Sequence, residues 1–429
     1  MRFEFINSNK IWLLIPLVLF LGCQQVEDEL PKHWRELENL TVYTPDDNPT
    51  LDIQFSRATS FGLSDEVLIG RIGGLAVADD GRIFIGDAAE FVVHVYSPDG
   101  SYVTSIGREG RGPGEFISPP NPVSVKSNRL YIHDVMQFRV SVYSTDTFEL
   151  LRTIDLNVKN QEDIEELEGF YVKSIYFIND TKFLAAFGIQ NPIPVKSSSE
   201  LEERQITKYY LTDDEGRILP DKIFELCGIG ITLTATVNGE FRALALPLAG
   251  HPMNLITFSR DVKQIYHSPS SQEFLIKVYE PGGRYVRAFY YPVKKRPFSR
   301  KDALRLIKAK VSTYQNLLGR EVDEQVIDYW TSVVQNAPGS DFPVTWPILK
   351  SMRTLVENQL WVSTFTENLE EDQYWILDES GKLLARFLWP RDKLIALVKN
   401  GYLYTQETDT ETGLPYITKY RIEMKELEM

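Results

Sequence analysis

The chain has 429 residues, 43% of them hydrophobic, a formal net charge of −14 and a pI near 5.0. That length can bury a large core or more than one domain. The acidic balance excludes nucleic acid as a partner, because binding phosphates calls for a basic face.

The first element is a leader. Arg2 and Lys10 precede the apolar run IWLLIPLVLFLGC (residues 11–23), and polar QQVEDEL follows. Thirteen apolar residues ending at a small residue and a cysteine are too few to span a bilayer and have the form of a cleaved signal. Phe20-Leu21-Gly22-Cys23 resembles the lipobox of bacterial lipoproteins. The resemblance implies that residues 1–22 are a signal peptide and that Cys23 is acylated and anchors the chain to a membrane. Residues 23–40 then form an acidic tether. Gln24 in place of Asp favours the outer membrane. Glu27-Asp28-Glu29 resembles the export tag of surface lipoproteins and reads equally well as a solvated tether. The other cysteine, Cys227, is expected as a buried thiol, with no intramolecular disulfide.

Next comes a repeat. Residues 74–106 hold four short apolar runs separated by turn signals, among them Asp79-Asp80-Gly81 and Pro98-Asp99-Gly100. Residues 122–154 repeat the pattern: Ile85, Asp87, Val95, Tyr96 and Ser97 recur 47 positions later as Ile132, Asp134, Val142, Tyr143 and Ser144. Four strands per unit at a period in the forties predict propeller blades. Later units keep the turn before the fourth strand, at Gly216, Gly283 and Gly381. Five blades are predicted near 73–107, 120–156, 171–226, 243–291 and 346–389. The last unit offers only three strands, which leaves an open edge. LDIQFSRATSF (51–61) is expected to supply its outer strand and close a ring of six.

The stretch GREGRGPGEF (107–116) carries four glycines. A phosphate loop needs a Lys-Ser/Thr pair running into a helix. Here Gly114 leads to Glu115-Phe116 and a further strand, so the stretch reads as the connector from one blade to the next. With FISPPNPVSV after it and the Asp-Gly turns, the chain resembles NHL-type repeats, and as a whole the six-bladed β-propeller lipoproteins of Gram-negative anaerobes. The expected fold is all-β: a six-bladed propeller over 41–429, interrupted by a helical insertion at about 297–342. Ser299 with Asp302 forms the pattern of a capping box, followed by Leu304, Ile307, Val311, Tyr314 and Leu318 at helical spacing. A second helix is expected from about Glu321. Each helix has one apolar face, expected to pack on the other helix and on the propeller rim. From Arg284 to Lys310 there are ten Lys/Arg against Asp302 alone. That strip reads either as an attractor of acidic ligands or as a solvated face paired with an acidic body.

Candidate site residues follow from where propellers bind ligands, at the ends of the central channel. Asp87 and Asp134 end the second strands of their blades and are candidates for that face, as are His133, His251 and Asn254. Asp at the start of a loop also caps its own backbone, which gives the two aspartates a structural alternative. Six-bladed propeller enzymes of the calcium-dependent lactonase and zinc-dependent lyase types are related by resemblance. No three-histidine set of the zinc type is evident, and a calcium ring drawn from several blades stays open. No cofactor is evident otherwise. The expected function is a lipid-anchored, monomeric binding or scaffold module for a glycan, peptide or partner protein. The alternative is a metal-dependent propeller enzyme.

Overall fold

The computed structural model describes residues 34–427 apart from 45–47, 65–66, 159–163, 180, 190–205, 227–231, 247–254, 260–262, 319–321 and 355–358. The chain divides into two compact units, Met1–Leu37 and Glu38–Met429. In the described part of the first, Leu37 N donates to Trp34 O at 3.0 Å and closes a turn. Among the described residues, all the β structure lies in the second unit.

It begins with β1 (Leu40–Val42), β2 (Leu51–Phe61) and a small hairpin, β3 (Leu63–Ser64) and β4 (Val67–Leu68). Blade 1 comprises β5 to β8 (Ile72–Val77, Ile83–Asp87, Val92–Tyr96, Tyr102–Ile106). Blade 2 comprises β9 to β12 (Asn121–Lys126, Arg129–Asp134, Arg139–Ser144, Leu150–Asp155), and blade 3 β13 to β16 (Phe170–Asn179, Lys182–Ile189, Thr207–Asp213, Ile218–Leu226). A second hairpin, β17 (Thr232–Val237) and β18 (Glu240–Ala245), precedes blade 4, which is β19 to β22 (Ile256–Phe258, Ile265–His267, Phe274–Tyr279, Tyr285–Tyr291). Helices α1 (Arg300–Leu318) and α2 (Glu324–Asn336) separate it from blade 5, β23 to β26 (Leu349–Thr354, Leu360–Phe365, Glu371–Leu377, Leu383–Pro390). Blade 6 takes β27 to β29 (Leu394–Lys399, Tyr402–Thr408, Pro415–Glu426) and, as its outer strand, β2.

The ring therefore closes as expected, with the N-terminal strand of the propeller completing the last blade. β2 pairs antiparallel with β29 from Leu51↔Glu426 to Phe61↔Ile417. Closure satisfies an edge that three strands alone would leave open. Inside each blade the strands run in chain order, and the first strands of neighbouring blades touch around the axis, β5 with both β9 and β27. The second strands are covered on both sides: all of Ile83–Asp87 is buried, as is all of β10 after Arg129. This is why IFIGD and LYIHD lack the alternation of half-exposed β12.

The core lies between blades. Phe61, Ile83, Ile85, Tyr96, Tyr404 and Ile417 join blade 6 to blade 1, and Tyr131, Val140, Val142, Phe183 and Tyr210 join blade 2 to blade 3. The recurrent glycine before the fourth strand serves this packing. Gly216 has φ +92°, and a Cβ there would stand 2.1 Å from the Asp155 carbonyl oxygen of blade 2. Gly381 has φ +95°, and its Cβ would meet the Phe289 ring of blade 4 at 2.4 Å. Only glycine meets both demands.

Two features depart from expectation. Residues 243–245, expected to open blade 4, belong instead to the β17–β18 hairpin, turned at Asn238-Gly239 with φ of 53° and 84°. The hairpin buries Leu233, Ala235, Leu244 and Leu246 against Ala303, Leu306 and Ile307 of α1 and Val333 and Val334 of α2, with Phe298 and Trp346 completing the cluster. The helices thus share a core with a strand pair as well as with each other. In addition, β1 adds a fifth strand to blade 4, parallel to β22 through Leu40↔Ala288.

Candidate functional site

Antiparallel order places the connections between blades, and the turns joining second to third strands, on one face of the ring. This connection face carries the β3–β4 hairpin, the glycine-rich 107–116 link, the β17–β18 hairpin and both helices. It also carries Asp87 and Asp134, each the last residue of a second strand.

Both aspartates are fully buried and both hold backbone. Asp87 accepts from Gly70 N at 2.8 Å, Arg71 N at 3.1 Å and Ala89 N at 2.8 Å. Asp134 accepts from Ile117 N at 3.0 Å, Ser118 Oγ at 2.6 Å, and Met136 N and Gln137 N, each at 3.2 Å. The Gln137 amide adds a bond at 2.7 Å. In each case the carboxylate ties the segment entering its blade's inner strand to the turn after its second strand. Burial works against both charges, and the surrounding donors outweigh it: the backbone amides of Gly70, Ala89 and Arg71 at Asp87, and Ser118 and Gln137 foremost at Asp134. Both carboxyls are held below the ordinary Asp range.

In blades 5 and 6 buried acids near the same face are held by side chains in place of backbone amides. Buried Asp372, at the start of the third strand of blade 5, ion-pairs with Lys350 of the inner strand and with Arg391 at 2.7 Å. Glu407, near the end of the second strand of blade 6, accepts from Thr405 Oγ1 and Tyr420 OH, each at 2.8 Å, and faces Lys393 at 3.8 Å. Burial opposes the Glu407 charge, and Tyr420, Thr405 and Lys393 outweigh it, so its pKa is lowered. Neither acid stood out in the sequence, because neither lies on the 47-residue spacing.

His133 follows the other face of its strand. It is buried, paired across the sheet with Asn121 and Val140, and burial pushes its pKa down to about 4 against the pull of the Asp134 charge. The structure therefore does not join His133 and Asp134 into one site. His251 and Asn254 lie outside the described residues, as do Cys23 and Cys227.

The glycine-rich link is filled from within. Glu115 accepts from Gly112 N at 2.7 Å and from Arg108 Nε at 2.8 Å, and so occupies the loop with the chain's own carboxylate. Arg139 and Gln137 donate to its carbonyls. The basic strip is also largely engaged. Arg284 pairs with Glu280, Lys295 with Glu273, and Arg305 with Asp302 at 3.6 Å. Arg300 caps the end of α2 through the carbonyls of Val334, Gln335 and Ala337. At the foot of the helices Arg296 lies over the Trp346 ring at 5.2 Å, and Arg391 over Phe365 at 5.3 Å.

Apolar side chains exposed to solvent are unevenly distributed. Among the described residues Leu63, Leu68, Met136, Val326, Val344 (87% exposed) and Leu394 all lie on the connection face. Val103, Leu151 and Leu388 lie on outer strands, and Leu427 follows β29 at the opposite face.

A ring of six blades with this topology defines a six-bladed β-propeller. Residues 62–185 match the model of the family DUF5128, described as 6-bladed beta-propeller. No curated protein matches the chain. Among solved structures, it is similar to a protein described as exported, from Bacteroides fragilis, at 14% identity and a TM-score of 0.47, over 90% of this chain and 100% of that one. A member of the duf4221 family from Bacteroides vulgatus shows 10% identity and a TM-score of 0.48, covering 88% and 99%. The calcium-binding protein regucalcin from Agrobacterium tumefaciens shows 11% identity and a TM-score of 0.38, covering 89% and 96%. None of the three bears on the chemistry of the site.

Proposed function

We propose that the chain is a lipid-anchored binding module of the outer membrane or cell surface. Its connection face holds a peptide or protein partner. One observation carries the reading: exposed apolar side chains gather on the face that also bears two hairpins and two helices. Apolar side chains presented on one face suit a peptide or protein better than a glycan. The acids at the ends of the second strands in blades 1 and 2 are engaged in holding the ring, which fits a scaffold role. Acylation at Cys23 supplies the anchor. No described helix is long and apolar enough to cross a membrane.

The test pairs Leu68→Glu with Val344→Glu. Both sites are exposed, so the fold is expected to survive, while retention of a discrete envelope protein on the immobilised chain drops at least about tenfold. Unchanged retention overturns the reading, and binding to a glycan array instead moves it to a carbohydrate ligand. Replacement Cys23→Ser is expected to remove the acyl mass from the mature N-terminus and shift the protein out of the membrane fraction.

A further inference from the structure

In blade 1, two side chains that make none of the clamp's hydrogen bonds, Glu90 and His94, converge on the Asp87 carboxylate. His94 on β7 faces the same side of the sheet as Asp87, because its cross-strand partner is Ile85, two residues before Asp87. Ligand atoms of Asp87, Glu90 and His94 lie within 4.8 Å of one another. His94 is 2% exposed, and its Nε2 has no hydrogen-bond partner among the described residues. That nitrogen stands 3.6 Å from Asp87 Oδ2. The separation is too long for a hydrogen bond. It is close to the distance between two ligands of one tetrahedral ion, about 3.3–3.4 Å when each bond is about 2.0–2.1 Å.

The rest of the ring's surroundings agrees. His94 Nδ1 meets Ser105 Oγ at 2.8 Å, and Ser105 Oγ meets Tyr102 OH at 2.8 Å. With Nδ1–H donated to Ser105, the Nε2 lone pair points toward Asp87. An imidazole that ligates a metal is oriented in this way by a partner on its other nitrogen. Glu90, in the exposed turn, gives the ion a route in from solvent.

We infer that Asp87, Glu90 and His94 form a site for a divalent transition ion of the zinc class, with its fourth position open to water. One imidazole and two carboxylates suit zinc, whereas calcium takes six to eight oxygens. Because Asp87 also holds Gly70 and Arg71, the first residues after the closing strand and its hairpin, the ion fastens the turn of blade 1 at the seam of the ring.

The test is zinc binding to the untagged full-length protein, read by competition with a chromophoric chelator. One equivalent is expected. Glu90→Ala, at an exposed position, weakens binding at least about tenfold with the fold intact, and Ser105→Ala weakens it about tenfold through the ring's orientation. Cobalt(II) gives tetrahedral visible absorption that His94→Gln abolishes. If His94→Gln does not fold, Glu90→Ala decides alone. Absence of saturable zinc binding, or equal affinity and stoichiometry in wild type and Glu90→Ala, overturns the site.

Discussion

Between pH 7 and pH 4.5 the protein is expected to lose about 4–6 kcal/mol of stability, most of it through His133 and His267. Burial pushes both imidazoles down to about 4, with the Lys277 charge adding to the effect at His267. The unfolded chain protonates them near 6.5. Above that pH both states are neutral and stability is full. As pH falls from 6.5 toward 4, only the unfolded state takes up protons, so stability falls by about 1.4 kcal/mol per unit for each histidine. Neither ring has a partner for Nε2 among the described residues. His133→Leu is therefore expected to leave stability at pH 7 nearly unchanged and to remove about half the slope. Urea unfolding at pH 7 and 4.5 measures it; an equal slope in wild type and variant contradicts the assignment.

The second large effect is expected at Asp134. Truncation to Ala strands the part-buried amides of Ile117, Met136 and Gln137 and the buried Ser118 hydroxyl at once, at a cost of about 3–5 kcal/mol. Asp87→Ala, which frees three amides, is expected to cost somewhat less. The acid dependence has a fixed sign. Asp134 titrates below its unfolded value, so its contribution is present above about pH 4 and is lost as pH falls through the lowered folded value. Asp134→Asn loses that dependence while keeping an acceptor oxygen. Denaturant midpoints of wild type and Asp134→Asn at pH 4.5 and pH 3 separate this window from the histidine one, which lies mostly above pH 4.5.

The aspartates and the blades were legible for one reason: the repeat carries its own mechanics. Asp87 and Asp134 recur at a fixed spacing because both place an acceptor where the incoming segment of blade 1 or 2 meets the second strand. Gly216 and Gly381 recur because the turn touches the preceding blade. The lone strand at 51–61 was placed by the need to satisfy an open edge. The Ser299–Asp302 capping box is formed as expected, with Ser299 N donating to Asp302 at 3.0 Å. The β17–β18 hairpin was not legible, because half-buried alternation looks alike in an insertion and in a blade. Asp372 and Glu407 lie off that spacing and are held by side chains, so spacing could not reveal them. His94 lies mid-strand, where the sequence alone gives it no signal. Its significance comes from a diagonal neighbour and a turn residue that only the strand register brings near.

The central claim is that the connection face does the binding. The most direct measurement places a photo-reactive amino acid at Val344 on that face and, separately, at Asp79 in a turn of the opposite face, and irradiates the protein in its native envelope. The account predicts a discrete adduct from Val344 and none from Asp79. Adducts from Asp79 alone, or in equal yield from both, would contradict it.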